Sequence, residues 1–205
     1  MLPEQVNHLL KRASAGTPHQ GLFTSSVYGG DCTWDRFIEI WAERAYLFLL
    51  GALGSYHKQP LRSILPMSEA AHISGANASF EPDTGQIRLH PGFVRRNPGK
   101  TLEKVTHELL HANLNNFPEG DPFYEEGCVD YSILVLAHAP VWEPYKEAMI
   151  KAAISNIECR RERALKTQTD YDRKRWAGGL FTSMAYGPHI ISRLRQKKLE
   201  GDLTW

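Results

Sequence analysis

The segment His107-Glu108-Leu109-Leu110-His111 carries the densest chemistry in the chain. Two imidazoles four residues apart share one face of a helix, so both rings can approach a single cation. Glu108 lies about 100° round the helix from His107 and can stand beside such an ion without ligating it, free to take a proton from water. The H-E-x-x-H spacing is a short zinc-site motif. A catalytic zinc needs three protein ligands and keeps a fourth position open, so a third donor must come from a neighbouring element. Fourteen residues after His111 the chain reads Glu125-Glu126-Gly127-Cys128-Val129-Asp130-Tyr131. Glu126 and Asp130 are four apart and share a helix face. Metal-bound histidines donate their second N–H to a carboxylate or carbonyl, a task that suits Asp130 towards His107. Glu125 competes with Glu126 as ligand, but its own partner at i+4 is Val129, which cannot accept a proton. Glu126 is therefore the expected third ligand, and Gly127 is expected where the two motif helices approach closely.

Taken together, H-E-x-x-H followed by E-x-x-x-D resembles the gluzincin zinc metallopeptidases, especially their small, minimal members. The resemblance runs from about Gln86 to Tyr131, under a quarter of the chain. It implies one catalytic zinc on His107, His111 and Glu126, with Asp130 orienting His107. The expected activity is that of a metalloendopeptidase on a protein or peptide substrate. Glu108 would serve as general base, taking a proton from zinc-activated water and passing it to the leaving amine. Members of that group often stabilise the oxyanion with a Tyr, His or Arg from beyond the second motif. Tyr186, in Ala185-Tyr186-Gly187-Pro188-His189, is the candidate here. His189 is second, and Tyr131, Tyr145 and Tyr171 also qualify by position. The strand residues Ile87, Arg88 and Leu89 are expected to line the cleft and bind an extended peptide through backbone hydrogen bonds.

These residues need a scaffold. Trp34 to Leu53 reads as a buried helix, since Phe37, Ile38, Trp41, Ala45, Leu49 and Ala52 recur at three- and four-residue steps. Residues 55–78 look irregular, broken by Pro60 and Pro66. Phe80 to His90 reads as a hairpin turning at Pro82-Asp83-Thr84-Gly85. The helix that bears H-E-x-x-H is expected over Thr101 to Asn116, with Thr101 as cap and Pro118 as stop. A second helix spans about Phe123 to His138, and a long basic one runs from Trp142 to Lys166. A break at Gly178-Gly179 precedes a short helix from His189 to Leu199. The expected class is α+β: a zincin-like domain with a small antiparallel or mixed sheet, an active-site helix and a mainly helical carboxy-terminal lobe. One domain covers 1–205, with an amino-terminal lobe over 1–117 and a helical lobe over 118–205. The string GLFTSxxYG occurs at 21–29 and again at 179–187, an echo read as a shared turn geometry or a coincidence.

At 205 residues the chain can bury a sizeable core. Its net charge of +1 gives no global pull towards nucleic acid or membrane. The charge is uneven: from Lys151 to Lys198 twelve Lys/Arg face four Asp/Glu. That stretch could attract an acidic partner, or mark a nucleic-acid-associated protease. Nucleic acid is the weaker expectation, because DNA-dependent proteases that share the H-E-x-x-H helix typically complete their site with a third His at a spacing absent here. A zinc-bearing regulatory protein without hydrolysis is the other alternative. Cys32, Cys128 and Cys159 form no disulfide framework, and the first residues lack the apolar core of a secretory signal. The longest apolar run, Ala45 to Leu53, is too short to cross a bilayer. A cytoplasmic protein without a transmembrane segment is expected.

Overall fold

The computed structural model describes residues 21–29, 32–53, 63–69, 76–113 and 122–185. It is a mixed α+β arrangement: a small four-stranded sheet and a larger helical body. The strands are β1 (Thr24–Ser25), β2 (Ser63–Pro66), β3 (Ala78–Glu81) and β4 (Gln86–Leu89), in spatial order β1-β2-β4-β3. β1, β2 and β4 run parallel, and β3 returns antiparallel to β4. The hairpin forms where the alternation of Gln86 to Leu89 predicts it. Gly85 closes its turn at a φ of 64°, donating to the Glu81 carbonyl at 2.9 Å. β2 lies inside the stretch that reads as irregular. Its Ile64 is fully buried while Leu65 is half-buried, so four residues give too short an alternation to register, and Pro66 argues against a strand.

The helices are α1 (Cys32–Leu53), the single turn α2 (Pro91–Val94), α3 (Pro98–Asn113), α4 (Pro122–Leu136), α5 (Lys146–Lys166) and α6 (Asp170–Ala185). α1 buries Phe37, Ile38, Trp41, Ala45 and Leu49, the stripe that its spacing requires. Trp41 stacks on Trp142 at 6.5 Å and meets Tyr145 edge-on at 5.5 Å, joining α1 to the chain just ahead of α5. α3 starts three residues earlier than expected. Asn97, not Thr101, accepts the Lys100 amide at 3.1 Å, and Pro98 occupies the first helical position. Leu102, Val105, Leu109 and Leu110 then turn α3 into the core.

α4 and α6 pack more closely than any side chain would allow. A Cβ on Gly127 would fall 1.7 Å from the Arg175 carbonyl oxygen and 2.7 Å from the Gly179 nitrogen. The close approach expected at Gly127 is therefore made with α6, not with the H-E-x-x-H helix. The expected break at Gly178-Gly179 is absent as well: both glycines are buried within continuous α6. Missing side chains there serve packing, and the helix tolerates them because α4 covers its backbone. The long basic helix is shorter than its pattern, since Pro140–Trp142 forms a 3-10 turn and Pro144 delays α5 to Lys146. The expected helix from His189 to Leu199 lies outside the described residues. Among those residues no helix is long and apolar enough to cross a membrane.

Candidate metal centre

α3 and α4 bring the two motifs together. His107 and His111, one turn apart on α3, place their Nε2 atoms 3.1 Å from each other. Glu126, in the first turns of α4, sets Oε2 3.3 Å from His107 Nε2 and Oε1 3.3 Å from His111 Nε2. Two nitrogens and a carboxylate oxygen thus surround one point, and the three side chains can hold a metal ion. Glu125 faces outwards from that point. Its Oε1 lies 2.8 Å from His111 Nδ1, so it orients the second imidazole and does not compete for the ion.

Asp130, one turn beyond Glu126, sits 3.3 Å from His107 Nδ1. That contact is close but poorly aligned, and His107 Nδ1 has no well-directed hydrogen bond. Asp130 is held on its other sides. Arg175 of α6 grips it with a two-pronged fork, Nε donating to Oδ2 at 2.7 Å and a terminal nitrogen to Oδ1 at 3.0 Å. Asn156 of α5 donates to Oδ1 at 2.7 Å. The other terminal nitrogen of Arg175 lies 2.9 Å from Glu126 Oε2 and donates to the Tyr171 hydroxyl oxygen. One guanidinium therefore positions both carboxylates of the E-x-x-x-D pair.

The charges are strongly coupled. Burial pushes Glu126 up, but His107, His111 and Arg175 outweigh it and hold its carboxyl far below the usual range. Asp130 follows the same pattern, with Arg175 and His107 overcoming burial. Burial pulls His111 down, yet Glu125 and Glu126 carry it up to about 10. His107 is raised by Asp130 and Glu126 against the same burial. Protons and a cation compete for these ring nitrogens. Glu108 is 4% exposed on the cleft wall, and burial raises its carboxyl despite the two histidines. A second grouping, Glu103, His107 and Asp130, also lies within ligand distance. Its carboxylates are already engaged by Lys104, Asn156 and Arg175, which makes it the hydrogen-bonded backing of the first.

The site opens into a cleft of about 390 Å³, whose lining includes Ala76, Asn77 and Ala78 together with Arg160, Arg163 and Tyr171. β4 does not border it as expected. Ile87 and Leu89 are fully buried, Arg88 pairs with Glu81, and β4 is bonded on both edges, to β2 and β3. It has no edge left for a peptide. β3 is the outer strand among the described residues, and its entry, Ala76 to Ala78, forms the cleft wall. Tyr186 and His189 lie outside the described residues, whereas Tyr171 reaches the cleft directly.

Arg175, Asn156 and Arg160 surround Asp130, and motif reading missed them. The two arginines fall in the basic stretch after Lys151, read as a surface for a partner although their side chains turn inwards, and Asn156 gave no signal. Cys128 is buried and donates to the Gly178 carbonyl at 3.4 Å, on the side of α4 that faces α6. No protein-family model, curated protein or solved structure matches this chain.

Proposed function

We propose that the chain is a gluzincin-like zinc metallopeptidase, with His107, His111 and Glu126 as ligands. The observation that carries this reading is the convergence of the two Nε2 atoms, 3.1 Å apart, on the Glu126 carboxylate, whose Oε2 lies 3.3 Å from His107 Nε2 and Oε1 3.3 Å from His111 Nε2. Tetrahedral zinc with bonds of ~2.0–2.1 Å requires donors about 3.3–3.4 Å apart, and these spacings are close to that. Two imidazoles and one carboxylate are also a donor set suited to zinc, and they leave one corner for water. When bound, zinc supplies a Lewis acid that brings the pKa of its water to ~7.

The protein's own residues do the rest. Glu108 sits on the cleft wall beside the ligands, enclosed enough that its carboxyl is raised. A carboxylate so destabilised takes a proton readily and can return it to the leaving amine. Arg175 and Asn156 fix Asp130, which faces the Nδ1 side of His107 and favours its Nε2 as donor to the ion. The Tyr171 hydroxyl, held by Arg175 and lining the cleft, is suited to meet an oxyanion on the substrate carbonyl. The backbone of Ala76 to Ala78 is suited to bind an extended peptide in place of the expected β4. The nucleic-acid alternative is weakened in part, because Arg160, Arg163 and Arg175 of the basic stretch turn to buried carboxylates and the cleft.

Metal analysis of the purified chain, with a peptide-library cleavage screen in the presence and absence of chelator, tests the reading. About one zinc per chain and chelator-sensitive cleavage are expected. Glu108→Gln should retain zinc and lose about 10²–10⁴-fold in turnover. Glu126→Ala should lose zinc itself. Cleavage that survives Glu108→Gln would sink the mechanism. A chain that holds zinc but cuts nothing would instead favour the non-catalytic, regulatory alternative.

A further inference from the structure

Two cations in the cleft are not consumed by the network around the metal centre. The cleft residues include Lys104, Arg160, Arg163 and Arg175 against Glu108 and Glu126. Lys104 is paired with Glu103 at 3.2 Å, and Arg175 is committed to Asp130 and Glu126. Arg160 is different. Its side chain is only 15% exposed, its nearest carboxylate oxygen is Asp130 Oδ2 at 3.7 Å, and its buried Nε makes no hydrogen bond. Asp130 already receives the fork of Arg175 and the Asn156 amide, so it has little left for a third cation. Arg163, one turn on along the same face of α5, contacts Asp172 through Nε at 3.1 Å. Among the described residues no hydrogen bond is made by the terminal nitrogens of either guanidinium group.

A largely buried guanidinium that shares its nearest carboxylate with a second arginine and makes no hydrogen bond to it is poorly compensated, and an anionic ligand relieves that cost. Arginines at i and i+3 lie about 5–6 Å apart on a helix, close enough for both to reach one carboxylate. Planar forks with free terminal nitrogens suit two-pronged binding of that group. The same cleft lining includes Ala76 and Ala78, whose side chains are small. Resting on the metallopeptidase reading, we propose that Arg160 and Arg163 form a subsite that binds a carboxylate of the peptide substrate. The group is either an acidic side chain near the cut bond or a free carboxy terminus, and the peptidase thereby selects acidic substrates.

The test uses the full chain carrying Glu108→Gln, which binds without turnover, in zinc-loaded and chelated forms. Peptides blocked at both ends and carrying one Glu are titrated beside their Gln counterparts. A third set has Gln with a free carboxy terminus. Binding is followed by fluorescence anisotropy. One carboxylate set should bind about 10- to 100-fold more tightly than the neutral set. Preference for internal Glu assigns the side-chain source, and preference for the free terminus assigns the other. Arg163→Gln, at a half-exposed position that should not disturb folding, should flatten the preference, as should Arg160→Gln, while Arg163→Lys restores part of it. Zinc content should not change in any of these variants.

Equal affinity for acidic and neutral peptides overturns the subsite, as does a preference that persists in both Gln variants. Failure to bind any peptide in either form also overturns it. Absence of zinc from the wild-type chain strikes the metallopeptidase reading instead. The acid preference is then decided by the chelated titration, where both arginines remain in place.

Discussion

The string Gly-Leu-Phe-Thr-Ser occurs at 21–25 and at 179–183, and the two copies take opposite backbone forms. The first enters β1 and is held by the acidic side of α1. Glu43 accepts the Gly21 and Leu22 amides at 3.1 and 3.3 Å, Glu39 accepts the Ser25 amide at 3.0 Å, and Phe23 is 2% exposed in the core. The second lies wholly within α6, nine residues after that helix begins. Its Gly179 is pressed against Gly127, and Leu180 is left 46% exposed. Identical residues thus become strand or helix according to the non-local groups that bond or pack against them. Local preference is a weak prior that tertiary contact overrides. Over the described residues 179–185 a shared turn geometry is therefore absent, and coincidence is the reading of the echo that stands. The two copies also serve different ends, since the first seats the sheet while the second extends the helix that brings Arg175 to the metal centre.

Breaking the contact that docks the second copy should have the largest effect. Gly127→Ala puts a Cβ into the backbone of α6, and no side-chain rotation can relieve the clash. We expect a loss of more than about 4 kcal/mol, at the exceptional end for single substitutions. Metal affinity should fall with it, because α6 withdraws Arg175 from Glu126 and Asp130. Urea denaturation and zinc titration check both parts, and a near-native midpoint would mean that the helices are not so closely apposed. The first copy depends on an apolar anchor instead. Phe23→Ala should cost about 3 kcal/mol through the cavity it leaves. Zinc affinity should stay unchanged in the fraction that remains folded, since Phe23 is not among the residues of the centre. Coupled loss of zinc affinity would show that the sheet end and the metal centre are not separable.

The same contrast explains what was legible in the chain. The pairs His107–His111 and Glu126–Asp130 were readable because their residues are set at intervals of four, and a helix converts such intervals directly into proximity. The hairpin was readable from its turn and alternation. Arg175 was not, because its role depends on how closely α6 lies against α4, and only the pairing of Gly127 with Gly178-Gly179 encodes that. Those glycines read as a helix break when taken one segment at a time. β2 and the interior position of β4 escaped for a related reason. Strand order is a property of pairing, and Ile87-Arg88-Leu89 looks the same at a sheet edge as in its middle.

The start of α6 offers the smallest and most selective test, because it weakens the second copy's helix without touching the α4 contact. Thr169 accepts the Asp172 amide at 3.1 Å, and its hydroxyl donates back to Asp172 Oδ2 at 2.7 Å. This exchange satisfies a free amide of the first turn. Burial pushes the Asp172 carboxyl up, but the hydroxyls of Thr167 and Thr169 and the Arg163 guanidinium outweigh it. The group ends below the usual carboxylate range. A lowered folded-state pKa means that the stabilisation is complete above the unfolded value of about 4 and fades as pH falls through the folded value. Asp172→Asn should therefore cost about 1 kcal/mol near neutral pH. The gap from wild type should narrow below about pH 4, where the native carboxyl also becomes neutral. Thermal melts of both proteins across that range decide the matter. A gap that stays constant in acid would assign the stabilisation to the shape of the side chain, leaving its charge without a part in holding the second copy helical.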